Sequence, residues 1–185
     1  VETVALRQWT EDDLAPFAAL NADPNAMRFF PARLTRDETA AMIARLRSAI
    51  AERGWGLWAV EVDGAFAGMC GLNPPRFTAA FTPCTEIGWR LLPQFWGRGL
   101  AFRAATQALR FGFERLQLAE IVSFTAVPNT PSRRLMERLG FVRDERGDFD
   151  HPMIPAGHPL ARHVLYRLTR LAWPDSPAAR SLRAG

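Results

Sequence analysis

The chain has 185 residues, 48% hydrophobic and 23% charged, the composition of a globular protein long enough to bury one sizeable core. All 23 residues of the Lys+Arg total are arginine; lysine is absent, which excludes Schiff-base and catalytic-lysine chemistry. The net charge is only +4, and Arg interleaves with Asp and Glu along the chain, so the basic run of a nucleic-acid-binding module is missing and none is expected as a partner.

Val4 to Trp9 reads as a short strand. Thr10 to Asp13 is a capping-box-like start for a helix carrying Leu14, Phe17, Ala18 and Leu20, which ends near Asn21 to Pro24. A second helix starts at Thr35 with Glu38 as its capping partner, continues through Met42, Leu46 and Ala49, and stops at Gly54. From Trp58 the pattern becomes extended: Trp58 to Val62 and Phe66 to Leu72 flank Asp63-Gly64, a hairpin signature. A loop rich in Pro and aromatic residues follows, Asn73 to Pro83. Thr85 to Leu92 is a further strand, and after Gly99 a helix to about Arg115 carries Ala101, Ala104, Ala105, Ala108 and Gly112 at close-packing spacing. Glu120 to Val127 has the apolar character of a buried strand. Thr130 is expected to cap a helix with Pro131 in its first turn and Gly140 at its end. Phe141-Val142 and His163 to Leu168 are the final strands, with residues 144–162 irregular between them. The expected domain is 1–173, followed by a mobile tail, 174–185.

The order of elements predicts an α/β (α+β) protein with a largely antiparallel sheet and at least one parallel crossover. Cys70 and Cys84 are too few for a disulfide framework or a structural zinc site, and they fit a reduced, cytoplasmic setting. No metal site is expected from the irregularly spaced His151, His158 and His163. The opening VETVALRQWTEDD lacks a basic stretch leading into an apolar core, and no apolar run reaches spanning length, so neither secretion nor a membrane role is expected.

The stretch EIGWRLLPQFWGRGLAF, from Glu86 to Phe102, carries the chemistry. A strand entering a helix through a glycine-containing turn points free backbone N–H groups at the positive end of the helix dipole, an anion site suited to diphosphate. Gly97 and Gly99 clear the backbone for a phosphate, and Arg98 adds charge-assisted hydrogen bonds. The turn matches neither GxxxxGK[ST] nor GxGxxG.

Gln94-Phe95-Trp96-Gly97-Arg98-Gly99 resembles the acetyl-CoA signature Q/R-x-x-G-x-G/A of the GNAT superfamily of N-acetyltransferases. Asn129-Thr130-Pro131-Ser132 and Glu137-Arg138-Leu139-Gly140-Phe141 resemble that family's later N-x-x-S helix and its closing E-[KR]-x-G-F. LRQWTEDDLAPF and ADPNAMRFF resemble the branch that contains ribosomal-protein N-terminal acetyltransferases. The resemblance implies a GNAT-type sheet in which two parallel strands, Thr85 to Leu92 and Glu120 to Val127, splay apart to admit acetyl-CoA as cosubstrate. Backbone groups of Arg90, Leu91 and Leu92 would hold pantetheine, and the turn of Trp96, Gly97, Arg98, Gly99, Leu100 and Ala101 the diphosphate. A backbone N–H on the first strand would polarise the thioester carbonyl.

The implied activity is direct acetyl transfer to an amine, on a peptide or a small molecule, by a monomer or homodimer. Glu86 is the expected base, or else a strand residue paired with an arginine. The tyrosine that many members use as acid is replaced by Met136, and the only tyrosine is Tyr166. Ser132 is the alternative acid, or else a helix N-terminal hydrogen-bonding residue, with Asn129 orienting the cofactor or the serine. Phe29, Phe30 and Trp55 would line the acceptor mouth, unless they are core, and Asp148 or Asp150 would bind the acceptor ammonium, unless they satisfy a turn. A non-catalytic acyl-CoA-binding or sensing module is the alternative.

Overall fold

The Asp63-Gly64 turn is the clearest point at which local chemistry becomes structure. In the computed structural model, which describes residues 2–184, both residues have positive φ, +48° and +83°, the conformation of a two-residue hairpin that matches strand twist. They join β2 (Leu57–Val62) to β3 (Ala65–Asn73), and β1 (Val4–Arg7) adds to β2. The later elements are β4 (Glu86–Leu91), β5 (Glu120–Ala126), β6 (Val142–Asp150) and β7 (Arg162–Thr169), with helices α1 (Leu14–Ala22), α2 (Arg36–Arg53), α3 (Leu100–Arg110), α4 (Thr130–Leu139) and α5 (Pro177–Ala184). The strand order is β1-β2-β3-β4-β5-β7-β6, in which the β1–β2, β2–β3, β5–β7 and β6–β7 ladders are antiparallel and the β4–β5 pair is parallel. This is the mixed, mostly antiparallel sheet with flanking helices that the element order predicts.

Contacts divide the chain into two compact units, residues 1–72 with 88–105, and residues 73–87 with 106–185. In the first, Trp9, Phe17, Leu20, Ile43, Leu46, Ile50, Leu57, Ala59, Met69 and Leu92 form a buried core. Trp9 is almost fully enclosed, its ring 4.7 Å from that of Phe17, and its indole N–H donates to Leu57 O at 2.8 Å, so its polar atom is satisfied inside. The α2 capping box forms as the sequence predicts: Glu38 N–H donates to Thr35 Oγ1 at 3.2 Å, and Thr35 N–H to the Glu38 carboxylate at 2.7 Å.

In the second unit, β5 pairs with β7 over its whole length, from Glu120↔Thr169 to Ala126↔His163. The β4–β5 ladder is confined, among the described residues, to Glu86↔Val122, reinforced by Val122 N–H donating to Thr85 O at 2.9 Å.

Three expectations change here. Residues 144–162 are not irregular throughout, since β6 runs to Asp150. Its sequence, VRDERGDFD, shows no apolar alternation because it is an edge strand, and its ladder with β7 shifts between Asp144 and Phe149. The α4 cap is Asn129 rather than Thr130, its side chain accepting from Ser132 N–H at 3.3 Å. Trp173–Asp175 form a short 3₁₀ turn and Pro177–Ala184 form α5, with Ala178 and Ala179 buried. Gly140 (φ +103°) lets α4 end there, because a Cβ at that position would stand 2.8 Å from Ser176 Cβ. The predicted helix to Arg115 ends as α at Arg110 and continues as one π-helical turn, Phe111–Arg115.

Candidate active site

In the first unit, β4 leaves the sheet at Leu92, whose N–H donates to Ala67 O at 2.9 Å, and enters a short 3₁₀ turn, Pro93–Phe95. The Trp96 indole donates back to Leu91 O at 2.8 Å, which pins the turn to the strand end. Gly97 and Gly99 have φ +71° and +73°, and a Cβ on either would meet nothing within 4 Å. Positive-φ glycines flank Arg98 immediately before the first turn of α3, where the backbone N–H groups of a helix start have no partner within the helix and stand at the positive end of its dipole. The fit to a diphosphate thus rests on backbone. The Arg98 guanidinium pairs with Glu2, donates to Gln94 O at 3.0 Å and lies 5.3 Å from the Phe95 ring centre.

Earlier on the strand, the Arg90 guanidinium donates through Nη1 to Asn21 Oδ1 and lies 4.1 Å above the Phe30 ring. Phe30 therefore belongs with Arg90, whereas Phe29 sits under Arg28 and Trp55 under Arg53, each 4.7 Å from its arginine. The side chains of Arg90 and Asn21 did not enter the sequence reading, although a charge inside the apolar run Ile87–Leu92 was a visible signal.

In the second unit, Glu86 opens β4. It retains some surface, but its Oε2 is shut off from solvent and has no hydrogen-bond partner among the described residues. Burial without a compensating donor favours the neutral acid and pushes its pKa up to about 8. The alternative of an arginine partner for Glu86 is not realised: no described residue forms an ion pair with it. Cys84 is held as a thiol, pushed up to about 11 by burial and then by the negative charge of Glu86, and Cys70 is buried deeper still. Neither suits a nucleophile.

Asn129 ties two elements together, since its amide donates to Thr125 Oγ1 on β5 at 2.8 Å while its carbonyl caps α4 at Ser132. The Ser132 hydroxyl makes no hydrogen bond to another described residue. Met136 is buried in the core, and the Tyr166 hydroxyl is engaged, donating to Glu137 at 3.0 Å.

Asp148 pairs with Arg143 at 2.6 Å and Asp150 with Arg162 at 3.3 Å, so both already hold a cation. Phe149 and His151, beside these aspartates in sequence, close with Phe77, Phe81, Phe124 and His163 into a ring cluster. Phe77 stacks on Phe149 at 5.9 Å, and the two histidine rings are 4.9 Å apart. Burial in this apolar setting lowers His163 to about 4. Its members come from two loops and three strands, so no sequence period could reveal all of it.

Residues 3–142 match the family model described as "Acetyltransferase (GNAT) domain". The chain belongs to the GNAT acetyltransferases. It is similar to the FsC-acetyl coenzyme A-N(2)-transacetylase of Aspergillus fumigatus, 33% identical over 165 residues that cover 83% of this chain and 68% of that one. A Bacillus subtilis protein, YdaF, named as a candidate ribosomal N-acetyltransferase, is 30% identical over 60% of this chain and 57% of its own. In fold, this GNAT chain is similar to Mycobacterium smegmatis RimJ solved with CoA-disulfide, with a TM-score of 0.75 and 24% identity over 98% of this chain and 89% of that one.

Proposed function

We propose that the protein transfers an acetyl group from acetyl-CoA directly to a primary amine. Acetyl-CoA supplies the activated acetyl group as a thioester. The backbone of Gly97 to Ala101 holds the diphosphate, with Trp96 and Arg98 beside it, and the backbone of Arg90, Leu91 and Leu92 holds the pantetheine arm as an added strand would be held. The Aspergillus relative is named as an N(2)-transacetylase using acetyl coenzyme A, which supports an amine acceptor.

The enclosed Glu86 carboxyl carries the proposal. An ammonium has no lone pair, so a base must remove a proton before the nitrogen attacks the thioester carbon. Glu86 takes that proton, directly or through a water. The C–N bond then forms and the C–S bond breaks; Ser132 gives its hydroxyl proton to the leaving thiolate and regains one, through water, from the nitrogen of the tetrahedral intermediate. A carboxyl with a pKa of about 8 is a stronger base than an ordinary glutamate and is increasingly in its active form as pH rises through that value.

Release of CoA from acetyl-CoA across a panel of amines and N-terminal peptides tests the activity, with Glu86→Gln and Ser132→Ala testing the roles. Unchanged turnover in both variants removes the residue assignment. Burial of Met136 where many relatives have a tyrosine favours a second reading, an acyl-CoA-binding or sensing module. Tight CoA binding by calorimetry with no transfer to any acceptor would select it.

A further inference from the structure

Arg90 is an enclosed cation that the protein does not neutralise. Its Nε is cut off from solvent and lacks a hydrogen-bond partner. Burial pulls its pKa only to about 10, so the guanidinium remains charged at neutral pH. Arginines that are only partly buried have carboxylates: Arg7 has Asp13 and Glu61, Arg143 has Asp148, and Arg167 has Glu120 and Asp144. Among the described residues Arg90 forms no ion pair. Of its five N–H donors one is spent on the neutral Asn21 carbonyl.

A buried charge without a counter-charge is costly, and the surrounding residues hold it in position all the same. Asn21 is fully buried, and its amide donates to Thr39 Oγ1 at 3.2 Å, which in turn donates to Thr35 O at 2.9 Å, so α1 and α2 together fix the acceptor that orients the guanidinium. Phe30, partly exposed, covers one face of the fork. Two residues earlier on the same face of β4, Gly88 has nothing within 4 Å of where a Cβ would stand, so there is open space beside the fork.

From this arrangement we infer that Arg90 is the receptor for a carboxylate on the acceptor, so the substrate class is an amine that also bears a carboxylate. This rests on the acetyltransferase reading. A planar guanidinium with unused N–H groups matches a carboxylate through two parallel hydrogen bonds, and only the charge of the ligand completes the site. Phosphate groups of CoA have the same sign, but the Gly97 to Ala101 turn is built for them.

The test separates this inference from the activity beneath it. N-acetyl-β-alanine and N-acetyl-β-alaninamide, differing only in the carboxylate, are titrated into wild-type protein with and without saturating CoA, monitored by the arginine Nε–H resonances and by calorimetry. The carboxylate binds at least 10-fold tighter than the amide, with CoA bound, and moves the Arg90 Nε–H signal, which Arg90→Gln identifies. Equal binding of the two probes, or displacement of the carboxylate by CoA, overturns the inference whether or not the protein acetylates anything. In turnover, β-alanine exceeds β-alaninamide in kcat/KM, and Arg90→Gln abolishes that ratio. Turnover without such a preference sinks the carboxylate receptor and leaves the acetyltransferase standing.

Discussion

Glu86 and Arg90 occupy the same face of one strand and have opposite electrostatic problems. The carboxyl meets burial by taking up a proton; the guanidinium cannot lose one at neutral pH and keeps its charge. For the carboxyl this gives a pH dependence with a definite sign. Turnover rises with pH through about 8 as the base form appears, and Glu86→Gln flattens that rise and lowers kcat by about 100-fold, measured as initial rates across pH 6–9. At the same scale, Asn129 could be read from the sequence as part of an N-x-x-S pattern, but its double engagement with Thr125 and Ser132 depends on β5 lying against the start of α4. Arg90 stood in the sequence as a residue of interest for its backbone only. Its partner Asn21 lies 69 positions away, and nothing local links the two.

Among the elements, the turn between β4 and α3 is defined by glycine geometry rather than by side-chain chemistry. Replacing Gly97 or Gly99 with Ala forces an L side chain into the left-handed region at a cost of about 1 kcal/mol. A Cβ there also projects into the space proposed for the diphosphate. The expected outcome is about 10-fold weaker CoA binding by calorimetry with only a small loss of thermal stability. Helix α2 provides a contrasting case in which the sequence carries the whole device: Thr35→Ala removes the capping box and costs about 1 kcal/mol in urea unfolding. Such local signals made α2, the β2–β3 hairpin and the end of α4 legible. β6 was not, because a polar edge strand is specified by the partner β7 and not by its own periodicity.

For the whole molecule, burial of titratable groups sets how stability varies with pH. Glu86 binds its proton more tightly folded than unfolded, so it makes stability fall as pH rises from about 4.5 to 8. His163 behaves oppositely: the unfolded chain protonates near 6.5 and the folded one only at about 4, so stability falls as pH drops across that interval. The two slopes oppose each other at mildly acid pH. Between about 6.5 and 8 only the Glu86 slope remains, so unfolding free energy declines there and Glu86→Gln removes the decline, as chemical denaturation at pH 6.5 and 8 will register. Truncation of the almost fully enclosed Trp9 to Ala costs about 3–5 kcal/mol by the same measurement, since it opens a cavity and leaves the Leu57 carbonyl without its donor.

The sequence by itself determined the class of fold, the glycine turn, the α2 capping box and the family, because each is written in residues close together along the chain. It also determined that none of these 185 residues can serve as a catalytic lysine. Tertiary structure alone decided which charges are satisfied. Arg143, Arg162 and Arg167 meet carboxylates, the rings of Phe77, Phe124, Phe149 and His163 close on one another, and among the described residues Glu86 and Arg90 find no counter-charge. The reason is physical: whether a charge costs or contributes depends on burial and on partners brought from distant positions, and neither is a property of the residue itself.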